Sequence, residues 1–275
     1  MSGTRQEPAV IAAFERLRVA HETGVPVAPI RDLTAPGDAD RAYAIQQMLV
    51  AHRVARGATV VGHKVGLTSP VVQRQLSVDR PDFGVLLDDM RRAPDLPIDV
   101  GGLIAPRVEA EIAFVLGEDL ADGPIDVPRV RGAVDHAVAA LEIVDSRIAD
   151  WDITFVDTVA DNASSGLFVL GTERRSLADV EPVSVRMQMT VDGVVVSSGS
   201  GADCLGDPLE ALRWLATTAL DHGRPLRGGD VVLSGALGPM VAVTAGSRVT
   251  ATITGLGSVT ARFIADDTRR RDLTS

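Results

Sequence analysis

Cysteine and aromatic residues are scarce in this chain, and long apolar runs are missing. The single cysteine, Cys204, excludes an intramolecular disulfide and a cluster of thiolate metal ligands. Aromatic residues make up 3% of the composition, so Val, Leu, Ile and Ala must supply much of the core. No stretch approaches the ~18 apolar residues of a membrane span, and the N-terminus lacks the apolar core of a signal peptide. We therefore expect a soluble, cytoplasmic protein that makes no membrane contact.

Positive charge is also in deficit. The 27 Lys and Arg residues face 37 Asp and Glu residues, which gives a net charge of -10 at pH 7. This balance argues against nucleic acid as a partner, because nothing offsets phosphate repulsion, and the basic run 269–271 is too short to change that. Apolar residues at 45% and a mean hydropathy of +0.16 indicate a sizeable core. The 275 residues fit one large domain, or one domain with an extension.

Hydrophobic periodicity predicts a helical first part and a strand-rich remainder. Helices are predicted over 9–21, 38–56, 130–140 and 207–222. Strands are predicted over 59–65, 106–116, 141–145, 183–191, 194–196, 231–233, 241–244, 249–254 and 259–264. This pattern indicates a mixed α/β fold with a curled, largely antiparallel sheet. We divide the chain into a helical region (1–93) that carries the loop of Lys64, a strand-rich catalytic domain (94–265) and a disordered tail (266–275).

Two carboxylates lie inside the predicted strand 106–116. Because side chains alternate across a strand, Glu109 and Glu111 share one face and apolar residues share the other. Two adjacent buried anions require a positive partner. Arg107 lies on the same face, but a divalent cation such as Mg²⁺ or Mn²⁺ is the stronger candidate, because such ions prefer oxygen ligands. The alternative is a solvated face that exposes both acids.

Glu142 supplies a possible third carboxylate. It lies in the apolar run 139–144, where a carboxylate has no solvent-related reason to occur. Three carboxylates on two adjacent strands would provide three ligands to an octahedral ion and leave positions for water and a bidentate substrate. Asp145 is the alternative third ligand, and its opposite parity on the strand makes it the weaker one.

A lysine lies in the turn between Gly62 and Gly66. Lys64 is one of very few lysines, since arginine supplies nearly all the positive charge. A lysine kept where arginine is otherwise preferred suggests a need for a compact ammonium whose pKa can shift. On this evidence alone, a surface lysine at a strand end is the favoured interpretation.

Two polar turns are further candidates. The segment 161–166 combines small polar residues with glycine, which permits close backbone approach and hydroxyl donation to a ligand. Asp82 lies in the turn 80–84, where it could act as an acid or base. Both segments are equally explained as plain turns. The Gly-rich segment 234–239 lacks the spacing of a phosphate loop, and Ser164 has no evident partners for a hydrolytic triad.

These segments together resemble the 2-keto-4-pentenoate hydratase family, within the fumarylacetoacetate hydrolase-like superfamily. The resemblance runs from about residue 38 to residue 263. It is carried, in order, by Gly62–Ser69, Pro81–Gly84, Val108–Glu111, Leu141–Arg147 and Asp161–Gly166. It implies a β-roll catalytic domain preceded by a helical region, and a homo-oligomer.

The resemblance also implies roles for individual residues. The metal ligands for Mg²⁺ or Mn²⁺ would be Glu109, Glu111 and Glu142. The catalytic residues of the substrate pocket would be Lys64, Asp82 and Ser164. The expected substrate contacts are Leu67, Ser165, Leu237 and Met240.

The substrate under this resemblance is a 2-hydroxy-2,4-dienoate from aromatic or steroid ring degradation. Its carboxylate and 2-oxygen would chelate the metal, a proton would be added at the terminal carbon, and water would add at C4. The product would be a 4-hydroxy-2-oxoacid. Lys64 and Asp82 are candidates for proton transfer and for positioning the water, in either assignment of the two roles.

Three alternatives remain. The closest is a 2-oxo-3-hexenedioate decarboxylase of the same superfamily, which must hold a second substrate carboxylate with a cation or several donors. The apolar loop 235–240 favours the hydratase, and we predict that Leu237 or Met240 forms an apolar wall around C5. A carbon–carbon hydrolase would need a His/Glu pair that has no evident place here. A non-catalytic partner of a pathway enzyme, such as a downstream aldolase, would not need to retain three acids and Lys64.

Overall fold

The computed structural model describes residues 7–69, 73 and 80–265, and the predicted disordered tail lies outside them. Its α-helices are α1 (Pro8–Thr23), α2 (Ala39–Ala55), α3 (Val127–Ala133), α4 (Phe155–Ala160) and α5 (Pro208–Asp221). The last of these begins as predicted, since Asp207 accepts a hydrogen bond from the Leu209 amide at 2.8 Å and a proline follows it. Within the described residues, no helix is long and apolar enough to cross a membrane.

The described strands form two sheets. They are β1 (Val60–Gly66), β2 (Asp82–Leu87), β3 (Arg91–Arg92), β4 (Pro97–Asp99), β5 (Arg107–Leu116), β6 (Val134–Val144), β7 (Ser165–Leu170), β8 (Arg186–Val191), β9 (Val194–Ser200), β10 (Val231–Leu233), β11 (Val241–Ala242), β12 (Arg248–Ile253) and β13 (Gly257–Ile264). An eight-stranded sheet has the order β2-β1-β10-β5-β6-β7-β3, with β11 beside β5. A five-stranded sheet has the order β4-β13-β12-β8-β9. The mixed α/β fold is thus confirmed.

The eight-stranded sheet is covered on both faces near its centre. On one face, the core joins β5 and β6 to residues of the helices, including Leu17, Ile45, Val159 and Leu212. On the other face, a second cluster includes Leu86, Ala140 and Phe168. A strand that is buried on both faces has a continuous apolar sequence. A polar side chain within it is therefore shielded from bulk water unless a cavity reaches it.

One predicted helix is wrong. The segment 130–140 is helical only as far as Ala133, and from Val134 it belongs to β6, which pairs with both β5 and β7. The reason is that a continuous apolar run fits a buried helix and a doubly covered strand equally well. The strand β1, which precedes the predicted boundary at residue 93, pairs with β10 in the same sheet, and the division of the chain at residue 93 stays a prediction.

Candidate active site

Three carboxylates meet on β5 and β6 at the centre of the eight-stranded sheet. Glu109 stands directly opposite Glu142 in the antiparallel register, and Glu111 follows two residues along on the same face of β5. One carboxylate oxygen of each residue lies within 4.8 Å of the others. Glu111 and Glu142 are buried, whereas Glu109 is half-buried and opens into a cavity. The three acids that were singled out in the sequence therefore form one compact cluster.

Asp145, the alternative third ligand, serves another purpose. Its carboxylate accepts hydrogen bonds from the backbone amides of Ile104, at 3.0 and 3.1 Å, and of Ala105, at 2.7 Å. These contacts tie the segment before β5 to the end of β6. The carboxylate is thereby satisfied outside the acid cluster.

The buried oxygens of the cluster fit a hard cation. Glu111 Oε1 and both carboxylate oxygens of Glu142 accept no hydrogen bond from the described residues. Burial, reinforced by repulsion from Glu142, raises the pKa of Glu109 to about 7 and the pKa of Glu111 well above its usual range. Burial also raises the pKa of Glu142, against the attraction of Lys64. Buried, unpartnered acids at this spacing are the donor set that Mg²⁺ or Mn²⁺ prefers.

Lys64 is buried beside this cluster, so the surface-lysine interpretation is wrong. It is only 3% exposed, and its Nζ lies 3.4 Å from Glu142 Oε1. Burial opposes the charged ammonium, but four carboxylates attract it more strongly and raise its pKa. Those carboxylates belong to Glu142, Asp82, Glu109 and Glu111. Lys64 is also the only lysine of the chain.

Gly66 allows Asp82 to approach Lys64. The register of β1 with β2 places Gly66 opposite Asp82 and Lys64 opposite Gly84. A Cβ atom at position 66 would lie 2.1 Å from Asp82 Oδ1 and 3.2 Å from Lys64 Nζ. Burial raises the pKa of Asp82, and the charge of Lys64 opposes that rise. The segment predicted as a turn belongs to β1, and Gly66 at the end of this strand leaves the space in which the two groups meet.

The segment 161–165 is built to present Ser164. Arg147 Nε donates to Asp161 Oδ1 at 2.5 Å, and the side-chain amide of Asn162 exchanges hydrogen bonds with the backbone of Val85 at 2.8 and 2.9 Å. Asn162, Ala163 and Ser164 adopt left-handed φ angles of 55°, 52° and 53°. Such backbone strain persists only where surrounding contacts enforce it, and it concentrates at functional sites. The plain-turn interpretation does not account for these contacts.

Thr158 is a site residue that the sequence analysis missed. Its Oγ1 lies 3.3 Å from Ser164 Oγ, and the nearby hydroxyl acts to lower the pKa of Asp82. Thr158 is buried and lines the cavity beside both residues. The only signal in the sequence was a hydroxyl next to Asp157, between two valines. This hydroxyl lies beside both Asp82 and Ser164.

A cavity of about 1010 Å³ connects these groups to solvent. Of the predicted site residues, those that line it are Lys64, Leu67, Asp82, Glu109, Ser164 and Met240. Ser165 and Leu237 are buried outside this lining, and Leu237 donates its backbone N–H to the Ala110 carbonyl at 3.0 Å. Their contacts with a substrate stay predictions.

Comparisons with known proteins point in one direction. Residues 65–264 match the family model described as fumarylacetoacetate (FAA) hydrolase C-terminal. A 2-keto-4-pentenoate hydratase from Burkholderia vietnamiensis is 53% identical over 248 residues, which cover 90% of this chain and 95% of that protein. A 2-hydroxyhexa-2,4-dienoate hydratase from Comamonas testosteroni is 39% identical over 251 residues, which cover 90% of this chain and 95% of that protein.

A solved structure extends the likeness to the whole fold. The 4-oxalocrotonate decarboxylase from Pseudomonas putida G7, complexed with magnesium and adipate, superposes with a TM-score of 0.90 at 31% sequence identity. The superposition covers 96% of this chain and 100% of that chain.

Proposed function

The chain belongs to the 2-keto-4-pentenoate hydratase family and, through residues 65–264, to the fumarylacetoacetate hydrolase family; from this premise we propose that it adds water to a 2-hydroxy-2,4-dienoate to give a 4-hydroxy-2-oxoacid. The observation that carries the proposal is the cluster of three carboxylates beside Lys64 and Asp82, with Glu109, Lys64 and Asp82 lining one cavity. A non-catalytic partner protein would have no reason to keep these charges buried together.

Glu109, Glu111 and Glu142 would hold the cofactor, Mg²⁺ or Mn²⁺. When bound, such an ion supplies Lewis-acid stabilisation of negative charge on a substrate oxygen. The buried, unpartnered oxygens of Glu111 and Glu142 support this assignment. So does the half-buried position of Glu109, which leaves its carboxylate facing the cavity.

Lys64 and Asp82 take different roles in this proposal. A lysine whose pKa is raised stays protonated, so Lys64 donates hydrogen bonds that orient the substrate and the attacking water. Asp82 has a raised pKa and can both hold and release a proton, as ketonisation at the terminal carbon and addition of water at C4 require. Thr158 and Ser164 extend Asp82 with two hydroxyls through which a proton can move.

The decarboxylase remains the rival, and the loop 236–240 of the cavity lining favours the hydratase. The loop 236–240 contributes Ala236, Gly238, Pro239 and Met240, none of which can bind a second carboxylate through its side chain. The hydratase relatives are also more similar to this chain than the decarboxylase is, at 53% against 31% identity.

The experiment is a direct comparison of two substrates. The protein, loaded with Mg²⁺ or with Mn²⁺, is incubated with 2-hydroxypenta-2,4-dienoate and with 2-oxo-3-hexenedioate, and the products are identified. We expect hydration of the dienoate, little release of carbon dioxide from the dicarboxylate, and loss of turnover on exhaustive chelation. Faster decarboxylation than hydration would transfer the assignment to the rival. Turnover by protein shown to be metal-free would remove the role of the acid cluster.

The family resemblance further supports a homo-oligomer whose product passes to a downstream aldolase. Light scattering of the purified protein tests the first part of this proposal. Co-purification with a pathway aldolase tests the second part.

A further inference from the structure

The cavity contains a second cation besides Lys64. Arg107 lines the mouth of the cavity, half-buried, with its guanidinium carbon 4.6 Å from the centre of the Trp151 ring. The indole is itself held in place, because its Nε1–H donates to the Ala105 carbonyl at 3.0 Å. Trp151 and the preceding Asp150 both adopt left-handed φ angles, of 56° and 57°. A strained turn thus presents a flat platform on which the guanidinium rests.

Arg107 differs from the buried cations Lys64 and Arg147 in forming no ion pair within the described part of the chain, although its charge acts to lower the pKa of Glu109. Lys64 faces Glu142, and Arg147 is bound to Asp161. Among the described residues, by contrast, no carboxylate oxygen forms an ion pair with Arg107, although Glu109 lies two positions away on the same face of β5. The rim carries instead two exposed acids, Asp150 and Asp203. A guanidinium held flat and left unpaired is arranged to receive a planar anion.

Burial places Lys64 inside the cavity and Arg107 nearer to solvent. Lys64 is buried, and its Nζ lies 3.4 Å from Oε1 of the equally buried Glu142. Glu109 is half-buried, and Arg107, also half-buried, precedes it by two residues on the same face of β5. The order from the interior of the cavity to its mouth is therefore lysine, acid cluster, arginine.

This order orients the substrate, given the proposed function. The carbon atoms that gain a proton and water are C5 and C4, and they must lie near Lys64 and Asp82. The carboxylate at C1 is the opposite end of the molecule, so it must point towards Arg107. We propose that Arg107, supported by Trp151, binds the C1 carboxylate of the substrate and makes the site selective for 2-oxo and 2-hydroxy acids over their neutral analogues.

The test is a binding measurement on the protein saturated with Mg²⁺. The probe is 2-oxopentanoate, which has no double bond to hydrate, so that binding is observed without turnover. Calorimetry should show that Arg107→Gln weakens binding about 10- to 100-fold, the effect of losing a hydrogen-bonded charge pair. Arg107→Lys should lie in between, because an ammonium offers neither the planar fork nor the stacking of a guanidinium. Arg175→Gln, an exposed arginine paired with Glu173, is the matched control and should bind as the wild type does.

A neutral ligand tests whether Arg107 binds the carboxylate of the probe. With 2-oxopentanamide, the loss caused by Arg107→Gln should shrink to less than about threefold, because there is no charge to lose. Equal losses for the acid and the amide would overturn the proposal. A loss confined to dicarboxylates such as adipate would also overturn it, since Arg107 would then serve the far end of the ligand.

Two further measurements test whether Arg107 itself binds the anion, independently of Trp151 and of the proposed reaction. Trp151→Leu keeps Arg107 but removes its platform, so it should weaken 2-oxopentanoate binding less than Arg107→Gln does. An effect of Trp151→Leu larger than that of Arg107→Gln would count against the arginine as the anion-binding group. The probe does not react, so its binding is independent of turnover. A failure of the wild type to hydrate dienoates would therefore refute the proposed function without deciding whether Arg107 binds the carboxylate.

Discussion

The two sheets of this protein bury polar residues in opposite ways. In the five-stranded sheet, β8 places Met187 and Met189 in the core and Arg186 and Gln188 in solvent, a clean alternation. In the eight-stranded sheet, β6 is buried from residue 137 to its end and carries Glu142 inside this run. The strand β8 follows the usual alternation, whereas β6 departs from it where Glu142 lies. Buried charges that local rules do not explain are expected at functional sites.

The comparison also shows where the cost of function is concentrated. In the five-stranded sheet, hydroxyl pairs such as Thr250 with Thr260, at 2.9 Å, satisfy each other at half-buried positions. In the acid cluster, oxygens of Glu111 and Glu142 remain without hydrogen-bond partners among the described residues. In the five-stranded sheet, only the hydroxyl of Ser197 is buried without a partner among the described residues, whereas the acid cluster leaves three carboxylate oxygens open to a ligand.

The largest expected effect comes from placing a glutamine in the interior of each sheet. Glu111→Gln should reduce turnover to background and abolish metal binding at this site, yet it should stabilise the metal-free protein by about 1–3 kcal/mol at pH 8, since a neutral amide is less costly to bury than a carboxylate. Its amide oxygen can still accept the Gly235 N–H that Glu111 accepts at 2.7 Å.

The matched change in the other sheet is Met189→Gln. It should destabilise the protein by about 2–4 kcal/mol, because it buries an unpartnered amide where the core is apolar, while each folded molecule keeps its activity. Thermal denaturation, metal titration and rate measurements compare the two variants. A fall in stability for both would mean that the acid cluster is an ordinary part of the core.

The next effect concerns Lys64, the cation that faces the acids. Lys64→Ala should lower turnover at least ~10²-fold, the low end of what a positioned acid–base or donor group contributes. Metal affinity should not fall, because the competing positive charge is removed. Lys64→Arg should not restore the rate, since a broad planar guanidinium does not reproduce the compact ammonium of lysine. Arg248→Ala, at an exposed position of the five-stranded sheet, is the control, and a near-wild-type rate for Lys64→Ala would exclude a role in catalysis.

The smallest effect is a dependence on pH. Burial and repulsion from Glu142 raise the pKa of Glu109 to about 7, so the folded, metal-free protein binds this proton more tightly than the unfolded chain does. That contribution to stability is complete below the unfolded pKa and is lost as the pH rises through about 7. Protons compete with the cation, so metal affinity should rise about tenfold between pH 6 and pH 8, and the increase in Tm on adding Mg²⁺ should grow with it. Glu109→Gln should flatten this trend, and an equal increase in Tm at both pH values would contradict it.

The fold was predictable wherever one local signal was sufficient. The alternation of β8 and the proline after Asp207 each specify an element without help from the rest of the chain, and both predictions are confirmed. Asp192 and Gly193 likewise carry a local signal, since Asp-Gly suits the left-handed φ angles of 51° and 83° in the two-residue turn between β8 and β9. The start of β6 was not predictable, because only pairing with β5 and β7 distinguishes it from a helix.

The candidate site was likewise predictable from local sequence signals only in part. The spacing of Glu109 and Glu111 predicted a shared face, and the apolar surroundings of Glu142 identified it as exceptional. The burial of Lys64 depends on β2 and β10 on either side of β1, and no local pattern contains that information. The contact of Arg107 with Trp151 joins residues 44 positions apart (151 minus 107) through the folding of an intervening hairpin, so it becomes visible only in three dimensions.

The burial of the only lysine gives the described surface an unusual chemical character. Reagents that acylate or reductively alkylate primary amines have one side-chain target in this chain, and that target lines the cavity beside the acid cluster. Such reagents attack the neutral amine, whereas Lys64 is buried and its raised pKa keeps it protonated. Apart from its α-amino group, the folded protein should therefore resist them, and labelling of Lys64 detected by mass spectrometry would report unfolding.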